Sequence, residues 1–61
     1  MYSFEWRSVG ETRWLLSEAR YMNADRAYDK AREFKSDNAL AYFDIEYRIV
    51  WISRSGRVRV L

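Results

Sequence analysis

A chain of 61 residues with neither cysteine nor histidine must hold one small domain, residues 1–61, together without disulfides or a conventional zinc centre. The same two absences remove the side chains that most often act as acid, base or nucleophile near neutral pH, so a non-enzymatic protein without metal or cofactor is expected. A net charge of +2 is too small to demand a polyanionic partner.

Stability has to come from aromatic burial. Tryptophan, tyrosine and phenylalanine make up 18% of the chain, and each ring can remove roughly 150–250 Å² from water. The apolar runs are short, as in Ile49-Val50-Trp51-Ile52, so no membrane span is expected and a cytoplasmic protein is the default.

In chain order, Tyr2, Phe4 and Trp6 alternate with Ser3, Glu5 and Arg7, the period of a half-buried strand. Ser8-Val9-Gly10-Glu11 reads as a turn. Thr12 to Met22 is ambiguous. As a strand it closes an N-terminal hairpin and sends Trp14 and Leu16 to one side, Leu15 and Tyr21 to the other. As a helix it is favoured by the Ser8-x-x-Glu11 capping box. Its apolar stripe would then be out of phase with that of the next helix. The strand reading is preferred because a lone first strand would leave a long unpaired edge.

From Asn23 the period changes to helical: Ala24, Ala27, Tyr28, Ala31 and Phe34 fall on one face, with Asn23 as N-cap and Asp25 in the first turn. Asp25, Asp29, Glu33 and Asp37 form an acidic row on the opposite face. Phe43, Ile45, Tyr47, Ile49 and Trp51 then alternate with polar residues as a core strand. Ser53-Arg54-Ser55-Gly56 turns the chain, and Arg57 to Leu61 pairs back with Val58 and Val60 inward. The fold class is therefore α+β, a four-stranded antiparallel sheet in ββαββ order with one helix on one face. The alternative is βααββ.

Three functional classes follow. Acidic residues at i and i+4 repel, yet Arg26, Lys30 and Arg32 can offset this. The row is thus either a solvated back or a ridge steering onto a charged protein surface. One helix cannot cover both sides of the sheet, so aromatic residues are left for a partner, Trp14 and Tyr21 among them, or for a homodimer. Protein binding through Asp25, Asp29, Glu33, Asp37, Trp14 and Tyr21 is the leading expectation. Single-stranded nucleic acid is the alternative partner, with Arg48, Arg54, Arg57 and Arg59 on phosphates beside stacking Tyr47 and Trp51. A structural homo-oligomer is the third class.

The stretch from Ala19 to Lys35, ARYMNADRAYDKAREFK, followed by Tyr47 to Leu61, YRIVWISRSGRVRVL, lies within roughly the last two thirds of the chain. In this pattern it resembles small phage-encoded accessory proteins of host takeover or anti-defence, in which a short antiparallel sheet carries one alanine-rich helix. The resemblance implies a stoichiometric inhibitor that occupies a host or defence protein in the bacterial cytoplasm.

Overall fold

A computed structural model describes residues 1–61. The elements are β1 (Tyr2–Ser8), β2 (Leu15–Leu16), α1 (Ala24–Leu40), β3 (Ile45–Ile52) and β4 (Val58–Val60). They form one antiparallel sheet of order β2-β1-β3-β4, the ββαββ arrangement that the alternation implies. No helix is long and apolar enough to cross a membrane.

β1 and β3 are the sheet's centre, paired from Tyr2↔Trp51 to Ser8↔Ile45. Phe4 and Trp6 face the helix, and their rings meet Phe34 at centroid distances of 5.7 and 5.0 Å. Ala27 and Ala31 are fully buried, because their small side chains let the helix lie close to Ile45 and its neighbours. At its start the Asn23 side chain accepts the Arg26 amide at 2.8 Å. Lys35 stands more than one turn before the helix end at Leu40. Its Nζ donates to the Ile45 carbonyl at 2.6 Å and lies 3.6 Å from Asp44.

The Thr12–Met22 segment is strand-like, but only Leu15 and Leu16 are paired, with Trp6 and Glu5. Tyr21 rejoins β1 by an isolated bridge to Tyr2. Between these contacts Ser17 to Arg20 oppose only Ser3 and Phe4, so the edge carries a bulge with two surplus residues. Ser3 is buried and its hydroxyl donates to the Ala19 carbonyl at 2.7 Å. Arg20 closes the bulge from outside, donating to the Ser17 and Ala19 carbonyls.

Two expectations are corrected. Phe43 lies before β3, not in it, and is exposed, because the helix runs on to Leu40 and its terminating turn consumes the next residues. Val58 and Val60 pair with Ile52 and Val50, whose side chains lie on the face away from the helix. Arg59, opposite Trp51, is on the helix side. The register of β4 follows the turn at Ser53–Arg57, where the Ser53 amide donates to the Arg57 carbonyl and the Gly56 amide to the Ser53 carbonyl.

Candidate functional site

The predicted site residues do not form one surface. Trp14 lies on the face away from the helix, where the guanidinium carbons of Arg7 and Arg48 each come within 4.2 Å of its ring centroid. Those arginines are paired across the sheet, Arg7 Nε with Glu46 at 2.7 Å and Arg48 Nε with Glu5 at 2.8 Å. The four charges and the indole satisfy one another, so Trp14 is consumed inside the fold. Tyr21 is half-buried in its bridge to Tyr2. Asp25, Asp29, Glu33 and Asp37 are exposed along α1, Asp25 at its groove-facing edge, with Lys30 3.1 Å from Glu33, and they do not gather into a metal-binding group.

The arginines divide as well. Arg48 is bound to Glu5 on one face of the sheet, whereas Arg59 is on the other. Arg54, Arg57 and Arg59 are exposed around the β3–β4 hairpin, and none forms an ion pair. The combined arginine and aromatic face of the nucleic-acid alternative is therefore not assembled on one side.

Two apolar surfaces take the place of that set. The first is the helix exit. The Tyr42 amide donates to the Ala39 carbonyl at 3.0 Å and the Phe43 amide to the Asn38 carbonyl at 2.8 Å, the pair of bonds that ends a helix when the next residue turns left-handed. Glycine normally takes that position. Here it is Tyr42, at φ 65°, and the side chain is 98% exposed. Leu40 is 82% and Phe43 63% exposed beside it. Backbone strain of this kind costs about 1–2 kcal/mol, and no buried contact of Tyr42 offsets it. Asp37 in the last turns of α1 and Asp44 just before β3 flank this tip in the sequence, Asp44 with Lys35 Nζ 3.6 Å away.

The second is a groove of about 460 Å³ between the N-terminal half of α1 and β3, lined by Ala24, Asp25, Tyr28, Tyr47, Arg48, Ile49 and Leu61. It exists because α1 lies over β1 and β3 and makes no contact with β4. Tyr28 and Tyr47 meet edge-on at 6.1 Å, and Arg32 lies over Tyr28. Burial raises the pKa of the Tyr47 hydroxyl, the Tyr28 phenol adds to this, and Arg32 partly opposes it.

The tip escaped sequence reasoning because Ala39-Leu40-Ala41-Tyr42-Phe43 continues an apolar pattern into the strand. Its one signal is the lack of glycine where a helix must stop. No family model matches the chain, and neither a curated protein nor a solved structure was found to be similar to it.

Proposed function

We propose that this chain is a non-catalytic docking module that binds another protein through the Leu40, Tyr42 and Phe43 tip. The supporting observation is Tyr42, a fully exposed aromatic side chain in a backbone conformation that suits glycine. A strained residue without internal benefit is a reason to look for an external one. The tip has the composition of an interface anchor, large apolar side chains at the centre and carboxylates at the rim. It fits an apolar pocket bordered by lysine or arginine, and the row Asp25, Asp29, Glu33 steers the approach toward Asp37. The resemblance to phage accessory proteins points to a bacterial host or defence protein as the partner, and to inhibition by occupancy.

The experiment is capture from a bacterial lysate on the immobilised chain, with and without nuclease. The wild type runs beside a Leu40→Ser, Tyr42→Gly, Phe43→Ser variant and an Asp29→Lys, Glu33→Lys variant. One nuclease-resistant protein retained at near-equal stoichiometry, lost with the tip variant and weakened with the charge variant, is the expected result. Retention undiminished by the tip variant removes the tip from the reading. Retention abolished by nuclease transfers it to Arg54, Arg57 and Arg59.

A further inference from the structure

The monomer is looser than its mass requires. Its accessible surface is 4789 Å², roughly 600 Å² above the ~4,200 Å² typical of a 7.4 kDa monomer. Its radius of gyration, 11.5 Å, exceeds the roughly 10.5 Å usual for this length. An excess of that size is close to the ~800 Å² that each partner buries in a standard interface.

Part of the exposed apolar surface is contiguous on the helix side of the sheet. Since α1 leaves β4 uncovered, the helix side of β3 and β4 is a floor and the flank of α1 a wall. Trp51, two residues beyond Ile49 on the same face, is 39% exposed, Tyr28 on the wall 47% and Leu61 64%, with Tyr47 and Ile49 half-buried between them. Tyrosine and tryptophan are the side chains that most often anchor interfaces. The charges at the margins have opposite sign: Asp25 stands on the wall and Arg59 on the floor beside Trp51. A patch with an acid on one side and a base on the other complements itself under a twofold rotation, Asp25 of each copy meeting Arg59 of the other.

We infer that the chain pairs with a second copy of itself across this shelf. Each copy covers the other's Tyr28, Trp51 and Leu61, and Asp25 and Arg59 set the register. The helix-exit tip lies at the other end of α1, so the pair presents two tips. This inference does not depend on the docking reading.

The test is sedimentation of the purified chain over micromolar to millimolar concentration, with circular dichroism confirming that each variant folds. The wild type should reach a dimer plateau. Tyr28→Arg and Trp51→Ser should each weaken dimerisation at least about tenfold. Asp25→Arg and Arg59→Asp should each weaken it, and the double variant should recover it. A monomer at every concentration overturns the inference. So does a dimer indifferent to Tyr28→Arg and Trp51→Ser, or one without recovery in the charge swap. A dimer lost in Tyr42→Gly would move self-association to the tip, overturning this inference and the hetero-docking reading together, whereas loss of lysate capture alone would overturn only the latter.

Discussion

Arg7 and Arg48 converge on the same indole, each guanidinium 4.2 Å from the Trp14 centroid, while each keeps a carboxylate from the neighbouring strand. Cation–π contacts at such partly exposed sites contribute about 0.5–1 kcal/mol each. Trp14→Ala should therefore lower stability by about 1–3 kcal/mol in urea unfolding. Trp14→Phe should recover part of the loss. Indifference to Trp14→Ala would return that side chain to the list of free anchors.

Ser3 is the one buried polar side chain, and its hydroxyl ties the bulge to β1 through Ala19. Ser3→Ala removes that bond and should cost about 0.5–1.5 kcal/mol. The loss should be local, seen as faster amide exchange and easier proteolysis at Ser17–Arg20 before the rest of the sheet responds.

Tyr42→Gly separates stability from binding. Glycine relieves the left-handed backbone but gives the unfolded chain more freedom, worth about 0.4–1 kcal/mol against folding, so the variant should unfold at equal or up to about 1.6 kcal/mol higher free energy. Partner capture should fall sharply. A destabilised Tyr42→Gly would show that the side chain serves the fold.

The raised pKa of Tyr47 has a defined sign. The folded state holds the proton more tightly than the unfolded chain, whose tyrosine titrates near 10.0, so the contribution is complete below that pH and is lost as pH rises through the folded value. Stability of the wild type should thus fall more steeply above pH 10 than that of Tyr47→Phe, measured as the difference between their urea midpoints. Parallel curves would contradict burial as the cause.

Period-2 alternation made β1 and β3 legible, because each has one face pressed on α1 and a polar residue at nearly every other position. The helix start was legible for a local reason, the Asn23 side chain capping Arg26. What could not be read depends on parity across turns. The Ser53–Arg57 turn decides that Val58 joins Ile52 on the far face and Arg59 joins Trp51 on the helix side. Both faces of this sheet carry apolar residues, so composition does not distinguish the registers. The stacking of Trp14 with Arg7 and Arg48 could not be read either, because those partners belong to β1 and β3. The tip was hidden for the opposite reason, since an apolar run in sequence gives no sign of a left-handed residue inside it.

The bulge at Ser17–Arg20 sets a limit on growth. The Ser17 and Ala19 carbonyls there are taken by Arg20 from outside, and Ala19 also by Ser3 from within, so that border of the sheet offers no regular ladder to another chain, whereas the β4 side carries the exposed shelf. A twofold pairing across the shelf uses that surface up on both copies, so it cannot by itself propagate a row of molecules, and the bulged border adds no ladder that could.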